Sequence, residues 1–287
     1  MGHITRREAL AGSAALLGGA ALAGSSAGAQ QPAGRTGRLK QSVCRWPFDK
    51  IPLPEFCKGV AALGLSAIDL LTEKEWPIAR DFGLTCSMGS GAGGTITDGL
   101  NVKGNHDKIV AGMERTIPRA AEQGVPNVIT FFGNRRGMPD EEAAANCIEG
   151  LNRIRPIAEA HNVTVCVELL NSKVDPKDYQ GDNSPFGLRV VRGVNSPRVK
   201  LLYDIYHMQI MEGDLIRTIR DNREHFVHFH TGGVPGRNEL DDTQEIQWRT
   251  VAKAIADLGF DGYFAHEFIP RRDPMTSLRE AVELCRV

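Results

Sequence analysis

The chain carries no surplus of either charge: 34 Lys and Arg stand against 35 Asp and Glu in 287 residues. A nucleic-acid binder would show clustered excess Lys and Arg, so that class of partner is excluded. Cysteine is scattered, with six residues at 44, 57, 86, 147, 166 and 285 and no CxxC pair. That lack argues against a zinc ribbon or a dithiol redox site. Cys86 and Cys166 fall in strand-like runs and read as small buried hydrophobes. Beyond residue 29 no apolar run reaches about 18 residues, so the mature chain is expected to have no membrane span. Disorder is not expected either, because 41% of the residues are hydrophobic and can bury a core.

What is present begins at the N-terminus. Arg6-Arg7 lies in Thr5-Arg6-Arg7-Glu8-Ala9-Leu10, followed by an uncharged Ala, Gly, Leu and Ser run to Ala29. Ala27-Gly28-Ala29 supplies the small residues of a cleavage site. Residues 1–29 therefore read as a twin-arginine-type signal peptide, which predicts a periplasmic or exported protein. Taking Arg6, Arg7 and Glu8 out leaves 32 basic against 34 acidic residues in 258, a net of −2. An exported compartment permits disulfides. Residues 30–39 read as a linker, and 40–287 as one catalytic domain.

From residue 40 strand-like and helical patterns alternate. Strand runs are expected at Gln41–Cys44, Leu65–Leu71, Leu84–Met88, Val128–Phe132, Val163–Val167, Val199–Tyr203, Phe226–Phe229 and Tyr263–Ala265. Between them lie helical segments such as Pro54–Leu63, Asn105–Gln123 and Pro139–His161, the last with Asp140, Glu141 and Glu142 in its first turn. Eight runs separated by helices imply parallel pairing through right-handed crossovers. In about 250 residues this predicts an α/β fold, a single (β/α)8 TIM barrel, over an open doubly wound sheet.

The last four strand runs each meet a ligand-type residue: Glu168, Asp204, His230 and Glu267. In a barrel the C-terminal strand ends form one rim, with neighbouring strands about 4.8 Å apart. Four such side chains could converge on one ion. Three carboxylates and an imidazole form an oxygen-rich set suited to Mn²⁺, Mg²⁺ or Co²⁺, with zinc left open. The bland alternative, an acid that merely caps the next helix, fits one position better than four in succession. Around the same rim Asn171, His207 and Arg237 are candidate substrate-binding residues. Trp46 and Phe48 could wall the pocket. His228 should share a face with His230, whereas His266 should point away from Glu267.

Two motifs are set aside. Gly89-Ser90-Gly91-Ala92-Gly93-Gly94 matches GxGxxG after a strand, but no helix opens there and no acidic strand end follows. A mobile rim loop is expected instead. Asn162-Val163-Thr164 matches the glycosylation pattern but enters a buried strand.

At Val167-Glu168-Leu169-Leu170-Asn171, Tyr203-Asp204-Ile205-Tyr206-His207-Met208-Gln209, Gly233-Val234-Pro235-Gly236-Arg237 and His266-Glu267-Phe268-Ile269-Pro270 the chain resembles the xylose-isomerase-like barrel superfamily, and within it the hydroxypyruvate isomerase family. The likeness extends over about residues 40 to 285. It implies a divalent metal on Glu168, Asp204, His230 and Glu267, with Glu168 and Glu267 also the catalytic proton-transfer pair. His230 stands where that family tends to carry Gln, and there the chain resembles the keto-sugar epimerases. The expected activity is metal-dependent isomerisation of a small keto substrate through an enediolate, with hydroxypyruvate to tartronate semialdehyde foremost. Epimerisation of a keto-sugar, hydrolysis or lysis of an exported sugar derivative, and non-catalytic sugar binding are the rivals. The partner is a small molecule, and a homo-oligomer is left open.

Overall fold

The computed structural model describes residues 37–287. The expected signal peptide, residues 1–29, and the first part of the expected linker lie outside the described residues. The last linker residue, Leu39, is fully buried and already belongs to the core.

Eight short strands follow: β1 (Lys40–Cys44), β2 (Ala67–Leu71), β3 (Thr85–Gly93), β4 (Asn127–Phe131), β5 (Thr164–Leu169), β6 (Val199–Asp204), β7 (Phe226–Thr231) and β8 (Tyr263–His266). They pair in chain order, all parallel, and β8 closes on β1. This is the (β/α)8 barrel that the alternation predicts. Helices α1 (Leu53–Ala62), α2 (Trp76–Asp81), α3 (His106–Glu122), α4 (Asp140–His161), α5 (Ser184–Val194), α6 (Ile205–Met211), α7 (Leu215–Asp221), α8 (Trp248–Asp257) and α9 (Pro274–Leu284) connect and follow them. Among the described residues no helix is long and apolar enough to cross a membrane.

Local chemistry sets the helix ends. Asn183 caps α5 by accepting from the Phe186 N–H at 2.9 Å, and Asp273 caps α9 by accepting from Thr276 at 2.8 Å. The acidic first turn of α4 meets the positive end of its dipole. Helix α6 escapes the sequence pattern because only seven residues separate its cap, Asp204, from its end.

Alternation along the strands divides the apolar side chains into two cores. Most lie between sheet and helices, with Trp248, Phe226, Phe229 and Phe264 among the fully buried ones. A separate cluster of Met88, Ile129, Cys166 and Leu202 fills the barrel lumen. Each such side chain stabilises the fold by roughly 1.5–3 kcal/mol if of Leu or Met size. All six cysteines are free and buried, as the reading of Cys86 and Cys166 anticipated.

The glycine run corrects one expectation. Gly89 to Gly93 continues β3 and pairs with β4 instead of forming a rim loop. A Cβ at Gly93 would lie 2.2 Å from the Ile129 carbonyl oxygen. Close strand approach, not phosphate binding or mobility, explains this glycine.

Candidate active site

The lumen is apolar on the β3–β6 side and polar towards β7, β8, β1 and β2. Residue parity makes the difference. Cys166 and Glu168, Leu202 and Asp204, and His228 and His230 are successive inward positions on β5, β6 and β7. The strand register sets Asp204 opposite His230, and Glu267 follows the last residue of β8. The four predicted ligand residues therefore meet at one level of the C-terminal rim. Their donor atoms lie within 4.8 Å of one another, and all four side chains are buried.

His230 is the hub. Its Nδ1 lies 2.8 Å from Glu267 Oε2, 3.1 Å from Glu168 Oε1 and 4.0 Å from Asp204 Oδ2. Its Nε2 faces the opposite way, 2.8 Å from Asp69 Oδ2. Arg237 supplies a second cation, with Nη2 3.1 Å from Asp204 Oδ2 and 2.5 Å from Glu267 Oε2. The guanidinium is held between the rings of Trp46 and Tyr206, 5.4 and 5.1 Å from their centroids. It lies in a loop with a cis Val234-Pro235 bond and a left-handed Arg237.

Three buried carboxylates this close cannot all hold full charge without compensation. Burial raises Glu168 above the usual carboxylate range, against the pull of His230. Burial likewise lifts Asp204 to about 7, although Arg237 opposes it. Glu267 also suffers burial, but Arg237, His230 and the Trp46 N–H outweigh it and hold its carboxyl well below the usual range. That indole N–H donates to Glu267 Oε1 at 2.6 Å. For His230, burial is outweighed by the neighbouring Cys44, Glu267 and Asp69, which raise it. Glu168 and Glu267 are thus pushed apart, the pattern that separates an acid from a base.

The other predicted residues divide. His207 is buried and neutral, since burial and then Arg237 push its pKa down. Its Nδ1 accepts the Asn171 N–H at 2.9 Å, so the proton sits on Nε2. That Nε2 has no hydrogen-bond partner and lies 3.5 Å from Asp204 Oδ2, leaving a donor at the site. Asn171 is brought to His207 and not to the carboxylates. Its Oδ1 accepts from the Val174 and Asp175 N–H groups, shaping the next loop. Asp204 does cap a helix, its Oδ1 accepting the His207 N–H at the start of α6 at 3.2 Å, while its Oδ2 stays with the converging group. Trp46 walls the site, whereas Phe48 packs against Phe56 and Phe268 in the core. His266 points away, bonding Gln41 at 2.8 Å and Thr231 at 3.2 Å.

Three residues went unread in the sequence. Asp69 lies behind His230, Cys44 Sγ lies 3.8 Å from His230 Nε2, and Tyr206 donates to Asp175 Oδ1 at 3.0 Å while supporting Arg237. The available signal for Asp69 was a lone charge inside the apolar run Ala67–Leu71. A cavity of about 760 Å³ opens at the opposite end of the barrel, lined by Lys40, Asn127, Thr164 and Tyr263. None of the converging acids reaches it. Converging charge, not cavity size, makes the C-terminal rim the candidate site.

Residues 60–286 match the family of xylose isomerase-like TIM barrels. The chain belongs to this family. A Xenopus laevis protein named as a hydroxypyruvate isomerase is 24% identical over 253 residues, covering 81% of this chain and 90% of that protein. The 2-oxo-tetronate isomerase of Pectobacterium atrosepticum is 25% identical over 236 residues, covering 78% and 89%. Among solved structures, AP endonuclease family 2 from Brucella melitensis superposes with a TM-score of 0.75 at 21% identity, covering 84% of this chain and 97% of that one. The 3-keto-D-glucoside 4-epimerase from E. coli gives 0.72 at 17% identity, covering 86% and 99%. These structural likenesses speak to the fold. The chain is an isomerase enzyme of this family.

Proposed function

We propose that the protein is a divalent-metal-dependent isomerase of a small keto or aldehyde substrate, with hydroxypyruvate to tartronate semialdehyde as the leading reaction. The observation that carries this is the convergence of Glu168, Asp204, His230 and Glu267 within 4.8 Å. These donors fit a hard divalent cation, since three carboxylates in a buried site call for positive charge and His230 turns a ring nitrogen to them. Mn²⁺, Mg²⁺ and Co²⁺ suit the set, and zinc also fits. When bound there, such a cation supplies Lewis-acid polarisation of a carbonyl and stabilisation of the developing enediolate charge.

The protein's own groups do the rest. One of Glu168 and Glu267 takes the proton from the substrate carbon. The other, or the same group, returns one to the neighbouring carbon. The Nε2–H of His207 donates to a substrate oxygen. Arg237, at the mouth and held by two aromatic faces, pairs with a substrate carboxylate or oxygen. The proposal includes export through the Arg6-Arg7 leader, which fractionation of the producing cell would test.

A second reading, epimerisation of a keto-sugar with the same pair, is favoured by His230. It is also favoured by 31% identity over 119 residues to the D-psicose 3-epimerase of Ruminiclostridium cellulolyticum, a match covering 40% of this chain and 38% of that one. The test is turnover of the cation-loaded chain on hydroxypyruvate and a keto-sugar panel in D2O, with NMR locating the deuterium and metal content measured on the same sample. Isomer exchange with one carbon-bound deuterium is expected. Bond cleavage, or ligand-dependent stabilisation without turnover, would overturn the isomerase reading.

A further inference from the structure

One fully buried carboxylate in the barrel lumen is outside the converging set. Asp69 projects inward from β2, one layer below the rim, with three donors bonded to it and His228 alongside. Its Oδ1 accepts from Ser87 Oγ through a short bond and lies 3.1 Å from His228 Nε2. Its Oδ2 accepts from His230 Nε2 at 2.8 Å and from Cys44 Sγ at 3.6 Å. No water is needed to hold it, and Ser87 fixes it from the β3 side.

An imidazole can offer a lone pair from only one nitrogen when neutral. The nitrogen that keeps its proton is set by the partner of that N–H. With Asp69 accepting from Nε2, the Nδ1 lone pair is directed at Glu168, Asp204 and Glu267. Without that acceptor the proton is free to sit on Nδ1, or the ring to turn, and the donor set loses its one nitrogen. We propose that Asp69 is a positioning residue that fixes His230 with its Nε2 proton turned inward and Nδ1 turned to the three carboxylates, and so sets the affinity for a divalent cation. The inference rests on the cation-site reading above.

The test uses the full chain and Mn²⁺, followed by the EPR signal of free ion. Asp69→Asn and Asp69→Ala should weaken Mn²⁺ binding about 10- to 100-fold, with Ser87→Ala intermediate, because ligand-orienting partners typically act on that scale. Folded Asp69 variants that bind Mn²⁺ within about twofold of wild type would overturn the proposal. A readout on the unaltered protein stands whether or not the variants fold. In ¹⁵N-histidine-labelled chain loaded with ¹¹³Cd²⁺, His230 should keep its Nε2 proton and show cadmium coupling at Nδ1. Coupling at Nε2, or a second cation equivalent among Asp69, His228 and His230, would defeat it. A wild-type chain that takes up no cation removes the site reading and this inference together. Insensitive variants remove this inference alone.

Discussion

Replacing Glu168 by Gln separates the chemistry from the fold. The carboxyl is buried, accepts a 3.1 Å contact from His230 Nδ1, and is raised by burial above the usual range. A neutral isostere relieves that burial cost while giving up one charged hydrogen bond. These effects are each about 1–3 kcal/mol and of opposite sign, so stability should shift by no more than about 2 kcal/mol. Turnover should fall much further. The amide can neither take nor return a proton, and positioned acid–base groups contribute about 10²–10⁴-fold, or roughly 3–5.5 kcal/mol of barrier. Cation affinity should weaken only modestly, because the amide oxygen remains a ligand. The assay is initial rate at saturating Mn²⁺, with solvent deuterium incorporation followed by NMR and thermal unfolding run alongside. Near-wild-type turnover in a folded, cation-loaded Glu168→Gln protein would refute the proton-transfer assignment.

Arg237→Ala should destabilise the cation-free protein by about 3–5 kcal/mol, since it strands Asp204 and Glu267 without their guanidinium. Added Mn²⁺ should raise the Tm of this variant more than that of wild type, as measured by calorimetry. In chelator-treated protein the pH dependence has a definite sign. Asp204, raised from 3.8 to about 7, and His230, raised above 6.5, contribute stability at low pH that is lost as pH rises through their folded values. Glu267 works the other way, contributing above its ordinary 4.5 and losing that contribution as pH falls through its depressed folded value. Above about pH 7, where the lowered His207 and His266 are neutral both folded and unfolded, denaturant midpoints should therefore decline with pH when stripped and flatten with Mn²⁺; a stripped profile that rises above about pH 7 would contradict the site electrostatics. The six buried thiols should resist a water-soluble disulfide reagent in the native state and all react after unfolding. Rapid native labelling would contradict the packing.

The barrel was readable because its signal is repetitive. Apolar runs separated by helical periodicity leave few topologies, and one large parallel domain fits the length. Glu168, Asp204, His230 and Glu267 were readable for the same reason, each breaking an apolar run at its end. The glycine run misled because a GxGxxG pattern does not say what the backbone approaches. Only the packed neighbour, the Ile129 carbonyl 2.2 Å from a Cβ at Gly93, does so. Asn171 follows β5 at the rim as expected, but its contact with His207 joins residues 36 apart in the chain.

By itself, then, the sequence determined the alternation, the closed parallel sheet it implies, and the types of residue at the last four strand ends. Parity along a strand is a local property, so it needs no tertiary information. The tertiary structure alone decided which nitrogen of His230 faces the carboxylates, that Arg237 sits among them, and that Asp69 stands behind. Those facts arise from strands distant in sequence meeting at one level of a closed barrel. Their energies depend on burial, which no single segment carries.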